Sequence, residues 1–318
     1  MSVGFSKKVR KHIIRLVSKI GLSRFLEQKI IVRIDGGLAS QMHQFALGLA
    51  IAKKVQLPLY FDISFFESDG CDIKGIRNRY FWLTKTFPRI QAAYNNRFIS
   101  QDQISHRFIK WFSDACIDRK VTDFSPELFE KRPWYIRQYY HNTHYINTVA
   151  DELRDFFTFD LELSPLENEW KDKIASTQSC SVHIRKGDFI NSVHDVCTDK
   201  YYINAIKEVD KLHPDAIFYI FSNDEAYARN LLSMASLPDS RICHISGRNE
   251  IDPRVDLYLM SLCRHSIISN SGFSWFPAFL AKHNEQVVIM PEYWTADTKL
   301  KEHSRLAYHQ DGWIIMPV

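Results

Sequence analysis

Apolar and polar positions in the second half of the chain follow two alternating patterns. Short runs rich in β-branched and aromatic residues are each followed by a longer segment in which apolar residues recur at helical spacing. The first pattern is typical of buried strands and the second of helices packed on a sheet. The strand-like runs are SCSVHIRK, AIFYIFS, RICHIS, SIISN and QVVIM, with a helical segment between successive runs. Asp199 is expected to cap the first of these helices. This alternation predicts a parallel, doubly wound α/β sheet.

The first half of the chain opens with one unit of the same kind. Ile30–Ile34 has the pattern of a strand, Gly36 and Gly37 predict a tight turn, and helical spacing follows over residues 42–50, before the strand-like LPLYFDI. Ser40 is expected to cap the intervening helix. Together these elements predict a βαβ unit. Its glycines do not match the GxGxxG fingerprint of dinucleotide-binding proteins.

The length of the chain, 318 residues, suits two domains of about 150 residues each. We place their boundary near Pro165, which predicts an N-terminal domain over 29–165 and a C-terminal domain over 166–318. The order of elements between residues 63 and 160 is not readable, although RPWYIRQYYHN is strand-like and aromatic. Residues 1–28 predict a basic amphipathic helix, which either packs on the domain or lies on an anionic membrane surface.

Composition narrows the class of protein. A hydrophobic fraction of 45% and a charged fraction of 25% are typical of soluble globular proteins. A net charge of +4 is too small for the basic stripe of a nucleic-acid-binding protein, but it is compatible with an anionic ligand. No CxxC pair occurs among the six cysteines, which argues against a zinc site of the usual spacing. Without a long apolar run or an apolar signal core, we expect a cytoplasmic protein, either free or peripheral on the inner face of the membrane.

Four charged or titratable residues stand where the strand SCSVHIRK ends. His183 and Arg185 share one face of this strand, and Lys186 and Asp188 follow in the turn. Ligands of doubly wound sheets bind beyond the carboxyl ends of the strands, and a guanidinium there suits a phosphate group. The alternative is a surface ion pair between Arg185 and Asp188 that closes the turn.

Two further strand ends are also polar. Ser222 and Asp224 follow AIFYIFS, and the segment after SIIS begins a helix. A carboxylate can accept hydrogen bonds from a guanine edge or a ribose diol, whereas hydroxyls and free amides at a helix start bind anions. The alternative in each case is a simple helix cap. Three polar strand ends in one half of the chain favour a nucleoside diphosphate site. The last segment contains Ser269, Asn270, Ser271 and Ser274.

These segments carry a family resemblance. SVHIRKGDF resembles the HxRRGDY motif of the bacterial α-1,2-fucosyltransferases, glycosyltransferase family 11. FYIFSNDEAYA and LYLMSLCRHSIISNSGFSWFPAFLA resemble the second and third motifs of that family, and IDGGLASQMHQFALGLAIAK is similar to its N-terminal GGLGNQMFQYA segment. The motifs keep their order and lie in both halves of the chain.

The resemblance implies a GT-B-like fold, in which two Rossmann-like domains face each other across a cleft. It implies inverting transfer of L-fucose from GDP-fucose to a galactose hydroxyl, in α-1,2 linkage, on an oligosaccharide or a lipid-linked glycan. No metal or other cofactor is expected, and the sequence has no Asp-x-Asp motif. The alternatives are a GDP-fucose transferase of another linkage and a non-catalytic protein that binds sugar nucleotides or glycans.

The resemblance also implies residue roles. Arg185 would bind the β-phosphate, and Asp224 would form hydrogen bonds with guanine. His183 would contact the nucleoside or order the end of the strand. The serine-rich segment would cradle the diphosphate. The departures from the family pattern are Lys186 for a second arginine, Ser40 for an asparagine and His43 for an aromatic residue. The N-terminal motif residues are Gly36, Gly37, Ser40, Gln41 and His43.

The general base for the acceptor hydroxyl is not identifiable from the sequence. Asp188 follows the basic motif, but it has the alternative role of orienting Arg185. Asp35 and His43 are weaker candidates, and plain packing is the favoured role of His43.

Overall fold

The computed structural model describes residues 29–67, 80–99, 126–130, 134–136, 141–245, 252–281 and 283–318. The predicted basic helix of residues 1–28, with its membrane contact, lies outside these ranges. No helix within them is long and apolar enough to cross a membrane. The described residues form two compact units, one ending at Thr158 and the other spanning Phe159–Val318.

The first unit is built on a parallel sheet with the strand order β3-β2-β1-β4. Its strands are β1 (Ile30–Arg33), β2 (Leu59–Asp62), β3 (Phe98–Ile99) and β4 (Trp134–Ile136). Its described helices are α1 (Leu38–Val55), α2 (Leu83–Thr86), α3 (Pro88–Tyr94), α4 (Thr143–Asn147) and α5 (Ala150–Phe156). Strands β1 and β2 pair in parallel through α1, as the βαβ prediction requires.

The start of α1 corrects one prediction. The helix begins at Leu38 after Gly36, which has a left-handed φ of +73°, so its N-cap is Gly37 and not Ser40. Gly37 has no side chain to satisfy the first amides, and Ser40 lies inside the first turn. Most residues of α1 are buried, so this helix is central in its unit and does not carry a single apolar stripe.

The second unit is built on a parallel sheet with the strand order β10-β9-β8-β5-β6-β7. Its strands are β5 (Ser179–Ile184), β6 (Ile217–Ser222), β7 (Ile242–His244), β8 (His265–Ile267), β9 (Val288–Pro291) and β10 (Ile314–Met316). Its described helices are α6 (Pro165–Ser176), α7 (Asp199–Leu212), α8 (Glu225–Ser233), α9 (Arg254–Leu262), α10 (Gly272–Leu280) and α11 (Lys301–Ala307). The predicted doubly wound sheet is confirmed, and sequence analysis missed α6, α11 and β10.

Strand β5 lies at the centre of this sheet and is buried along its whole length. Cys180, Val182 and Ile184 pack into the core beneath α7 and α8. The opposite face is covered by α6 and α9, whose residues cluster with Tyr219 and Phe221. The chain runs from β5 through β6 to β7, and then returns to β8 on the other side of β5. The sheet therefore has its topological switch point between β5 and β8.

Two local details differ from the sequence reading. The second unit starts before the proposed boundary at Pro165, because the ring of Phe159 already packs on Tyr258 of α9, with 5.2 Å between centroids. The N-cap of α7 is Thr198, whose side chain accepts a hydrogen bond from the Tyr201 amide. Asp199, the expected cap, instead accepts a hydrogen bond from the Tyr227 hydroxyl.

Candidate functional site

The three polar strand ends named from the sequence meet at the switch point. Strand β5 pairs directly with β6 and β8, so the segments that follow these strands emerge side by side at one edge of the sheet. This edge is where doubly wound sheets bind their ligands. The candidate site therefore lies within the second unit.

Arg185 is partly satisfied by the protein itself. Its Nη2 atom lies 2.8 Å from the Asp188 carboxylate, and its guanidinium carbon lies 5.3 Å from the centre of the Phe189 ring. Its buried Nε atom has no hydrogen-bond partner among the described residues. The ion pair that sequence analysis kept as an alternative is therefore present. It engages Nη2 and leaves Nε without a hydrogen-bond partner in the described part of the chain.

The turn after Arg185 depends on a glycine and an asparagine. Gly187 has φ +53°, and a Cβ atom added to it would lie 2.6 Å from Asn223 Nδ2. Asn223 accepts a hydrogen bond from the Lys186 amide (2.8 Å) and donates to the Lys186 carbonyl (3.2 Å) and to Asp188 (3.4 Å). Sequence analysis assigned no role to Asn223. Its only signal was a polar amide in the segment that follows the neighbouring strand.

The side chain of Lys186 is buried within the second unit. Its ammonium lies 2.7 Å from Asp195 Oδ1, 3.1 Å from the carbonyl of Cys197 and 4.9 Å from the centre of the Tyr227 ring. Only 10% of its side chain is exposed. To meet a diphosphate, Lys186 would have to leave these partners, so this geometry favours a structural role.

Asp224 caps the next helix and retains a second oxygen. Its Oδ1 atom accepts a hydrogen bond from the Tyr227 amide at 3.0 Å, which makes it the N-cap of α8. The Oδ2 atom makes no hydrogen bond within the part of the chain that is described. The Ser222 hydroxyl donates to the Ile184 carbonyl at 3.0 Å and accepts from the Asp224 amide at the same distance. Ser222 thus ties the end of β6 to β5.

The segment before α10 is held mainly by its own polar groups. Ser269 contacts His183, the Asn270 amide donates to the carbonyls of His194 (2.8 Å) and Trp294 (3.0 Å), and the Ser274 hydroxyl donates to a carbonyl of the same loop. Ser271 is half-buried and caps α10 through a 3.2 Å contact with the Phe273 amide. The amides of Ser271, Phe273 and Ser274 are already hydrogen-bonded within this segment. Among the described residues, the groups left to face a ligand are therefore the Ser271 hydroxyl and the Gly272 amide, not all four side chains.

His183 is a buried, neutral imidazole. Only 4% of the residue is exposed, and its ring centroid lies 5.7 Å from that of Phe273. Burial, together with the positive charge of Arg185, lowers the pKa of His183 to about 3. Its ring is therefore uncharged at neutral pH.

The predicted motif of the first unit is mostly structural. Gln41 is fully buried; it donates to the Gly36 and Tyr80 carbonyls and accepts from the amides of Trp82 and Leu83. It therefore clamps the chain at residues 80–83 onto the start of α1.

The two weaker base candidates also lie in the first unit. Asp35 bonds to Gln44 at 2.8 Å and pairs with Arg33 at 3.4 Å. His43 packs on His141, with 4.4 Å between ring centroids. Burial and the neighbouring His141 hold the pKa of His43 well below its usual range, so it is a neutral, packed imidazole. This is the packing role that the sequence favoured for His43.

Comparison with known proteins identifies a family. The model described as "Glycosyl transferase family 11" matches residues 81–316. An α-1,2-colitosyltransferase of Escherichia coli is 27% identical over 279 residues, covering 83% of this chain and 92% of that protein. The O-antigen biosynthesis glycosyltransferase WbnK of Escherichia coli is 25% identical over 313 residues, covering 88% and 98%.

Solved structures share the fold. The fucosyltransferase NodZ from Bradyrhizobium superposes with a TM-score of 0.50 at 14% identity, covering 80% of this chain and 93% of NodZ. NodZ α-1,6-fucosyltransferase co-crystallized with GDP gives a TM-score of 0.51 with the same identity and coverage. Together with the two parallel α/β sheets, this likeness confirms the predicted GT-B-like fold class.

Proposed function

Because the chain belongs to glycosyl transferase family 11, we propose that this glycosyltransferase moves L-fucose from GDP-fucose to a galactose hydroxyl in α-1,2 linkage. The observation that carries the proposal is the guanidinium of Arg185 at the switch point of the second sheet, with bonding capacity left at Nε. The acceptor we propose is a galactose-containing oligosaccharide or lipid-linked glycan, as in O-antigen synthesis, in which the relative WbnK is named.

The proposed reaction is a single inverting displacement. The acceptor oxygen attacks the anomeric carbon, and the bond from that carbon to the β-phosphate oxygen breaks with its electron pair on GDP. The acceptor hydroxyl proton leaves to a base. Arg185 and the start of α10 would stabilise the charge on the departing diphosphate. Asp188 is bonded to Arg185 and Asn223, which supports an orienting role rather than that of the base.

Transfer of colitose is a second candidate. It is favoured by the relative named as an α-1,2-colitosyltransferase, which covers most of this chain. The two candidates differ in the sugar of the donor and not in the chemistry proposed for Arg185.

A donor panel tests the proposed function. The purified chain is incubated with GDP-fucose, nucleotide-activated colitose or UDP-galactose and with β-galactoside-ended acceptors, and the product linkage is analysed. We expect fucose on the 2-hydroxyl of galactose, with turnover unchanged in excess EDTA, since a guanidinium and a helix start can offset the leaving charge. Colitose transfer alone would establish the second candidate, and GDP binding without transfer would indicate a non-catalytic protein. Loss of activity in EDTA that one metal restores would reject the metal-independent mechanism.

Replacing Asp224 by asparagine is expected to weaken GDP binding about 10- to 100-fold and to narrow the preference for GDP over ADP. The reason is that hydrogen bonds to a charged group contribute about 1.5–3 kcal/mol. Asparagine caps helices as well as aspartate does, so α8 should remain intact. Calorimetry with GDP and ADP measures the change. An unchanged affinity and base preference would remove Asp224 from guanine recognition.

A further inference from the structure

The contact between His183 and Ser269 joins two side chains that are almost wholly buried. The Ser269 hydroxyl oxygen lies 2.8 Å from His183 Nδ1. Ser269 is 0% exposed and His183 4% exposed, so solvent does not reach the serine hydroxyl. The hydroxyl makes no hydrogen bond to any other residue of the described chain.

This isolation decides which atom carries the proton. A buried hydroxyl proton needs an acceptor, and a neutral imidazole has a proton on one ring nitrogen only. If Nδ1 carried the ring proton, it would donate to Ser269 and leave the hydroxyl proton without an acceptor. If Nδ1 is bare, the hydroxyl donates to it and both groups are satisfied.

We infer that Ser269 is a positioning residue that holds His183 as the neutral tautomer protonated on Nε2. His183 then acts as a hydrogen-bond donor to an oxygen of the nucleoside diphosphate, and not as a proton acceptor in the reaction. The identity of this ligand rests on the proposed function, whereas the tautomer does not.

The surroundings of Nε2 support a ligand-facing donor. Nε2 makes no hydrogen bond within the described chain, although only 4% of the residue is exposed. Arg185 lies two positions further along the same face of the chain. The ring of Phe273, in the first turn of α10, flanks the imidazole. A donor on Nε2 would therefore join Arg185 and the helix start in contacting one anionic group.

The charge on the ring also agrees with this assignment. Burial and the nearby Arg185 lower the pKa of His183 to about 3. The imidazole therefore stays neutral around pH 7, and a single proton on Nε2 accounts for its role without an imidazolium.

Nuclear magnetic resonance of the histidine-¹⁵N-labelled full chain tests the tautomer without any substrate. Signals of His183 are assigned by their absence in His183→Gln. We expect the ¹⁵N shift of an unprotonated nitrogen at Nδ1 and that of a protonated nitrogen at Nε2. Ser269→Ala should move both shifts towards averaged values, whereas Ser269→Thr, which retains the hydroxyl, should not. A proton on Nδ1 in the parent chain would overturn the inference.

Binding of GDP tests the consequence. We expect Ser269→Ala to lower GDP affinity about fivefold, the effect of one lost hydrogen bond, and Ser269→Thr to restore most of it. The matched control is Ser266→Ala, another buried serine whose hydroxyl bonds to Ser181 at 3.2 Å. It should change neither the His183 spectrum nor the affinity, and melting temperatures show that each variant is folded.

The two possible failures are distinguishable. Unchanged affinity in Ser269→Ala, or an unchanged tautomer in that variant, would contradict the positioning role of Ser269. A parent chain that binds no GDP but shows the expected tautomer would contradict the proposed donor and leave the Ser269–His183 assignment standing.

Discussion

Replacing Arg185 by lysine is expected to lower kcat about 100- to 1,000-fold, the effect of removing one charge-stabilising donor from a transition state. Arg185 uses Nη2 on Asp188 and has Nε left to bond a ligand. A lysine keeps the positive charge but has no planar fork, so it cannot hold Asp188 and a phosphate oxygen in the same geometry. The fold should survive, because 23% of the Arg185 side chain is exposed.

Steady-state kinetics with GDP-fucose measure this change. The matched control is Arg229→Lys on α8, whose exposed guanidinium forms an ion pair with Glu225 along the same helix. Exposed pairs of this kind contribute little, so the control should keep its activity and its melting temperature. If Arg185→Lys turned over within about threefold of the parent chain, Arg185 would not be the group that stabilises the leaving diphosphate.

Replacing Gly187 by alanine is expected to lower kcat/KM about 100-fold. A non-glycine residue at φ +53° costs about 1–2 kcal/mol, and the new Cβ atom would meet Asn223 Nδ2 at 2.6 Å. Asn223 would have to move and release its hydrogen bonds to Lys186 and Asp188. The turn that positions Arg185 would then shift, and a displacement of about 1 Å near reacting groups can reduce the rate about 100-fold.

Gly312 provides a control for the energetic cost of a left-handed backbone conformation alone. It has φ +83°, and a Cβ atom added there would have no neighbour within 4 Å. Gly312→Ala should therefore lower the free energy of unfolding by about 1–2 kcal/mol and leave kcat/KM unchanged. Urea unfolding and kinetics of both variants separate the two effects. Equal kinetics for the two variants would show that the Gly187–Asn223 contact does not support the site.

Sequence patterns predicted the second unit better than the first. Its strands are buried on both faces, so they appear as short apolar runs between amphipathic helices. Strand β10 and helices α6 and α11 were missed. Strand β10 is a three-residue edge strand that is only partly buried, although Ile314, Ile315 and Met316 are all apolar. In the first unit the βαβ prediction was confirmed, but the elements that follow β2 could not be ordered from the sequence.

The N-terminal motif was recognised, but the function of its residues was not. The Gln41 side chain forms four hydrogen bonds within its unit, two of them to amides around residue 82. These partners are about 40 positions away along the chain. Nothing in the local pattern distinguishes such an internal clamp from a ligand contact, since both require a polar side chain at a turn.

The sequence by itself determined the parallel order of the local βα units in the second unit, because periodicity and turn residues act over short distances along the chain. The place of the candidate site is a prediction that follows from this order. The sequence also determined that polar groups gather at three strand ends. Only the tertiary structure decided what those groups contact. Lys186 pairs with Asp195, and Ser269 meets His183 from 86 positions away, because the return of the chain places β8 beside β5. Hydrogen-bond partners are set by proximity in the folded chain. Which groups support the site and which face the ligand therefore depends on the tertiary structure.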